Sequence, residues 1–174
     1  MQLQVKPHIF TPDDHQMIES LGYVFDGLPD EEEQGNFLRS FLPNFDILHL
    51  LVVVEQNFAS TTSLPLIRRL IYDKHSNNFR IYFSNNPEEE EDLVVFDRTF
   101  YRENGELIVN HNYCIVPVAH QNKGLIKPVF QASLQQYVNM GVRKIKVHAG
   151  LGGGGYAWAR HGFVAEDPEE VRII

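Results

Sequence analysis

Between Glu106 and Phe163 the chain gathers most of the side chains that could do chemistry: its one cysteine, four of its eight histidines, and a lysine beside a glycine. A run of four glycines, Gly152 to Gly155, precedes Tyr156 in the same stretch. Three chemistries are open to such a set. Ala119-His120-Gln121-Asn122-Lys123-Gly124 can turn successive N–H groups toward a helix start, where the dipole and unpaired amides favour an anion. Lys123 adds positive charge, and Gly124 leaves room for a phosphate to approach bare backbone. The plainer reading is an ordinary strand-to-helix connection. Cys114 and His148 could form a thiol–imidazole pair if adjacent parallel strands bring them together, which would suit a cysteine hydrolase. A lone cysteine within a strand is more often a small buried hydrophobe. His111, His120, His148 and His161 invite a metal reading, yet no pair has the short spacing of a zinc motif, so no metal is expected.

These residues need elements to hold them. Leu107 to Val116 is rich in β-formers, and so is Val142 to Val147. Between them, Leu125, Ile126, Val129, Phe130, Leu134, Tyr137 and Val138 recur at helical spacing, while Lys127, Gln131, Gln135, Gln136 and Asn139 fall elsewhere on the wheel. Gly141 is a natural helix stop, and Pro128 lies near enough to the start to be harmless. Strand, helix, strand makes a βαβ unit with parallel strands. The glycine run then follows a strand end, where open α/β sheets place ligands. It reads equally as a cleft lining or as a surface connection.

The hexapeptide Gln121-Asn122-Lys123-Gly124-Leu125-Ile126 resembles the Q/R-x-x-G-x-G/A loop of the Gcn5-related N-acetyltransferase (GNAT) superfamily. Arg160-His161-Gly162-Phe163 is similar to that family's common K-x-G-F ending, and the resemblance spans roughly the last half of the chain. It implies a GNAT-like acyl-CoA N-acyltransferase fold, acetyl-CoA as cofactor, and acetyl transfer to a small-molecule or peptide amine. The six loop residues would hold the pyrophosphate. Cys114, Ile115 and Val116, in the strand from Asn112, would meet the pantetheine arm through their main chain. Trp158 stands where the family often has a tyrosine acid, so Tyr156 is the candidate proton donor, with Glu106 and Asp97 as conceivable bases. Trp158 and Ile126 also favour a rival reading, a GNAT-like module that binds without catalysing.

The rest of the chain reads as one domain of 174 residues, with a helical part to residue 45, mainly antiparallel strands over 46–117, and the loop, helix, strand and short helix over 118–174. Gln2 to Phe10 could be a first strand. Thr11-Pro12-Asp13-Asp14 opens a helix to about Leu21, and a second runs from Pro29 to Leu42 behind the acids Asp30 to Glu33. Ile47 to Val54 is apolar and β-branched, best read as a buried strand, with a buried helix as the other option. Leu66–Asp73 with Phe79–Phe83 predicts one hairpin. Leu93–Arg102 with Glu106–Val116 predicts another around Asn104-Gly105. The expected class is therefore α/β, with a mixed, mainly antiparallel sheet flanked by helices. A net charge of −8 and a pI near 5.4 argue against nucleic acid as a partner. No signal peptide or membrane-length apolar run is evident, so a soluble, cytoplasmic protein is expected. Homodimerisation is a further expectation, because few strands follow Gly162-Phe163 to close the sheet edge.

Overall fold

The structure, a computed structural model, describes residues 4–147 and 163–164. Among the described residues, four α-helices and a six-stranded sheet form the α/β architecture expected from the sequence. The strands lie in chain order, β1 (Val24–Asp26), β2 (Ile67–Asp73), β3 (Asn78–Ser84), β4 (Val95–Glu103), β5 (Glu106–Ile115) and β6 (Lys144–Val147). The pairs from β2 through β5 are antiparallel, while β1–β2 and β5–β6 are parallel. The sheet is thus mixed and mainly antiparallel, and the parallel β5–β6 pair is the expected βαβ unit.

Local sequence explains most of the ends. Helix α1 (Pro12–Ser20) opens on a reciprocal cap, in which the Thr11 hydroxyl accepts from the Asp14 N–H and the Asp14 carboxylate accepts from the Thr11 N–H. Helix α2 (Glu31–Phe41) is capped by Asp30, which accepts from the Glu33 N–H. Asn104 and Gly105 both take positive φ, the geometry a tight β4–β5 hairpin requires. Gly27, at φ +88°, follows β1, and a Cβ there would lie 2.0 Å from the Tyr72 carbonyl oxygen, so β1 can dock beside β2 only with glycine at that position.

Two expectations are corrected. Ile47 to Val54 is not a strand but most of helix α3 (Ile47–Phe58), capped by Asp46. Its buried residues Ile47, Leu50, Leu51, Val54 and Phe58 follow helical spacing, and packing of that face outweighs the β preference of three consecutive valines. Residues 4–10 form no strand either. The Gln4 carbonyl accepts from Gln135 and the Lys6 N–H donates to Asn139, so this segment is tied to helix α4 (Ile126–Met140) instead of to a sheet edge.

One apolar cluster joins Ile18 of α1, Leu38 of α2, Leu50 of α3 and Val129 of α4 to alternate residues of the strands, among them Phe79, Phe83, Phe96, Phe100 and Val109. Helix α4 buries a wider face than its apolar spacing suggests. Gln136 and Asn139 are buried with it, and the Gln136 side chain accepts from the Asp46 N–H across to α3. The intervening strand residues face the other way and line a polar groove of about 500 Å³, which includes Arg80, Asp97, Thr99, Asn110 and Asn112.

Candidate functional site

Two regions meet at the end of β5. The first is the loop that leads into α4. A short 3-10 turn, Val118–His120, follows β5, and Asn122 (φ 60°) and Gly124 (φ 78°) then both take left-handed backbone. Gln121, Asn122, Lys123 and Gly124 are exposed, and a Cβ added at Gly124 would meet nothing within 4 Å. Helix α4 begins without a side-chain cap, whereas α1, α2 and α3 are each capped by Thr11, Asp30 and Asp46. Within the described residues its first turn contains no acid, and Lys123 and Lys127 stand exposed on either side of Leu125 and Ile126. In the first turn the Lys127 N–H donates to the Gly124 carbonyl at 3.2 Å and Pro128 has no N–H, so what this end of a 15-residue helix offers is the loop backbone before it and positive charge. Ile126 is itself 38% exposed, so its side chain shares the space in front of that end.

The second region is a bulge in the β4–β5 ladder. Register shifts between Asp97 and Arg98, so Asp97 pairs with Tyr113 and Arg98 with His111, leaving Asn112 as the extra residue. A bulge bends its strand and re-aims side chains. Here Asn112 and Tyr113 both line the polar groove. The Asn112 amide nitrogen donates to Asp97 (2.9 Å) and to the Thr99 hydroxyl (2.8 Å). Arg80 grips the Asp97 carboxylate through Nε and Nη2 at 2.8 and 2.7 Å. Asp97 is only 1% exposed, so this bidentate pair supplies the charge balance that burial demands.

On the opposite face of the same bulge lies Arg98, 2% exposed and stacked 4.4 Å over the Phe96 ring. Its Nη1 donates to the carbonyls of Asp97 and Tyr113, both at 2.7 Å. Across the ladder, His111 Nε2 is hydrogen-bonded to the Tyr137 hydroxyl of α4 at 2.7 Å. Burial, and then the neighbouring Arg98 charge, hold the His111 imidazole well below its ordinary range, so it is neutral at pH 7. Burial raises the Tyr137 phenol, with Arg98 acting in the opposite direction.

The sequence-predicted residues fall as follows. Gln121, Asn122, Lys123, Gly124, Leu125 and Ile126 form one contiguous loop and helix start. Cys114, Ile115 and Val116 lead directly into it; Cys114 pairs with Phe96 in the ladder and packs against the apolar cluster. The described β5–β6 ladder ends at His111 and Val147. Tyr156, His148, His161, Trp158 and the glycines 152–155 lie outside the described residues, and the Cys114–His148 pairing lies there with them. Glu106 is exposed and paired with Arg143, while both Asp97 oxygens already accept from Arg80. No cluster of metal-ligating side chains occurs among the described residues. Nor is any helix among them long and apolar enough to cross a membrane.

Sequence reasoning missed Arg98, Arg80, Asn112 and Tyr137 as a set. One signal was present. In Phe96-Asp97-Arg98-Thr99-Phe100 the arginine falls in the apolar phase of a strand's two-residue period, where an unpaired charge is out of place.

Comparison of the chain with protein-family models, with curated proteins and with solved structures finds no match.

Proposed function

We propose that the chain is an acyl-CoA-dependent N-acyltransferase, taking the acyl group from acetyl-CoA to an amine. The observation that carries this reading is the uncapped, positively charged N-terminus of α4, reached through two left-handed residues at Asn122 and Gly124. Such an end is suited to a pyrophosphate, whose oxygens would accept from the N–H groups of the loop up to Ile126 while Lys123 and Lys127 balance its charge. The resemblance of Gln121–Ile126 to the GNAT loop points to the same ligand. In this reaction the amine nitrogen attacks the thioester carbonyl, the carbon–sulfur bond breaks, and the amine proton leaves to a base. The coenzyme A thiolate takes a proton from an acid, for which Tyr156 is the proposed residue.

A second reading is favoured by one observation, the exposed Ile126 side chain at the first residue of α4. There the module binds coenzyme A, or a related anion, without turning it over. Trp158 at the tyrosine position of the resemblance supports the same alternative.

Calorimetric titration with acetyl-CoA and with desulfo-coenzyme A tests both readings. Binding in the micromolar range is expected, weakened at least tenfold by Gly124→Asp, which sets a carboxylate against the pyrophosphate. Absence of binding at millimolar ligand overturns both readings. Binding with no amine acylated across a broad panel leaves the second.

A further inference from the structure

The polar groove on the open face of the sheet is lined by nine residues, of which five are Asp or Asn. Asp73 and Asn78 close the β2–β3 turn, where such residues are common. Asp97, Asn110 and Asn112 lie inside β4 and β5, where their type is depleted. Residues set against local preference mark positions held for a purpose other than the fold. The groove is also large enough to hold a ligand, since about 500 Å³ falls within the range of small-molecule sites.

The hydrogen bonds at the groove leave a defined remainder. Asn112 spends its amide nitrogen on Asp97 and Thr99, which fixes the carboxamide and leaves Oδ1 to the groove. Arg80 spends Nε and Nη2 on Asp97 and leaves Nη1. The half-buried Asn110 carboxamide has no hydrogen-bond partner among the described residues. The bulge carries Tyr113, 55% exposed, to the same groove as Asn112, its neighbour in the chain. The central charges cancel, because Arg80 and Asp97 form a bidentate pair. Asp73, at the far end, accepts from the His75 N–H and the Ser76 hydroxyl of its own turn.

This remainder selects a ligand by its chemistry. An ammonium would meet the two amide oxygens but also the Arg80 charge, and a carboxylate would meet Arg80 only beside the charge of Asp97. A hydroxyl both donates and accepts, so it can use Asn112 Oδ1, either end of Asn110 and Arg80 Nη1. A sugar ring carries several hydroxyls on an apolar C–H face, which suits an exposed tyrosine ring. We propose that the groove binds a small neutral saccharide, held by Asn110, Asn112 and Arg80 and seated on Tyr113. The site lies on the opposite face of the sheet from α4 and stands whether or not the chain binds coenzyme A.

The probes are methyl β-glucoside, methyl α-mannoside, lactose and chitobiose, titrated separately into the full chain. Glycerol, acetate and methylammonium are the controls. Nitrogen-15 NMR follows the side-chain amides of Asn110 and Asn112, each assigned by its loss in the alanine variant. The expected result is a saturable shift of both with at least one sugar, at a Kd below about 10 mM, and none with the controls. Asn110→Ala, which breaks no hydrogen bond of the fold, should weaken that binding at least about threefold and leave the denaturation midpoint unchanged. Tyr113→Ala should weaken it by a similar factor; if that variant does not fold, Asn110→Ala decides. Three results overturn the proposal: no saturable shift with any of the four sugars up to about 100 mM, shifts that a control reproduces, or full binding retained in Asn110→Ala.

Discussion

The two faces of the β4–β5 ladder are built from alternate residues of the same strands, yet they handle charge in opposite ways. On the open face, Asp97 is almost wholly buried and fully answered, by Arg80 and by Asn112. On the helix-covered face, Arg98 is equally buried and is answered by neutral groups, two carbonyls, the Tyr137 side chain and an aromatic ring. The covered face is held by volume around a guanidinium that meets no carboxylate among the described residues. The other is held by directed hydrogen bonds that leave little unsatisfied. A single bulge at Asn112 creates both conditions, since it sends one side chain into the groove and one carbonyl toward Arg98.

The largest test of that contrast is to empty part of the covered face. Phe100 is completely buried and contacts the rings of Phe45, Phe79 and Tyr137. Phe100→Ala should cost about 3–5 kcal/mol in chemical denaturation, the range for a core phenylalanine whose cavity cannot collapse. A loss below about 1 kcal/mol would mean that volume does not hold this face.

A smaller effect should appear with pH. His111 has a folded pKa held below its unfolded value near 6.5, so above that pH both states are neutral and stability is unaffected. Below it the unfolded chain takes up a proton that the folded chain refuses. Stability attributable to His111 is therefore fully present above about 6.5 and falls by about 1.4 kcal/mol per pH unit until the folded pKa is reached. His111→Gln, which can still bond Tyr137, should remove that slope from the difference between variant and wild type. Parallel curves for the two proteins between pH 6.5 and 5 would show that His111 titrates normally and that its face is wetter than its burial implies.

How much of this was legible beforehand follows from where the information lies. The helix start at Thr11, the Asn104-Gly105 hairpin and the Gly141 helix stop are written in a few adjacent residues, and each appears as read. Helix α3 misled because its triple valine reads as a strand locally, while the decision was made by burial against α4 and the sheet. Strand β1 has only three residues and needs the close approach of Gly27 to Tyr72, which no local pattern announces. In the candidate site, the loop from Gln121 to Ile126 was readable because its members are contiguous. The arginine arrangement was not, since Arg80 and Asp97 are 17 residues apart and the bulge that organises Asn112 appears only in the ladder register. Charge in the apolar phase at Arg98 was the sole local trace.

The smallest expected effect bears most directly on whether the two faces are coupled. Asn112→Ala removes the two hydrogen bonds to Asp97 and Thr99 but leaves the ion pair with Arg80 and every backbone bond of the bulge. Each neutral or charge-assisted bond contributes on the order of 1 kcal/mol net, and the partly buried groove lets water replace part of the loss. The expected cost is therefore about 1–2 kcal/mol, with the Arg98 Nε–H resonance unmoved. If that resonance shifts or broadens instead, the Asn112 side chain holds the bulge closed, and the carbonyl contacts of Arg98 depend on the groove as well as on the backbone. The two faces would then be one device, with the polar groove setting the geometry of the buried guanidinium on the other side of the sheet.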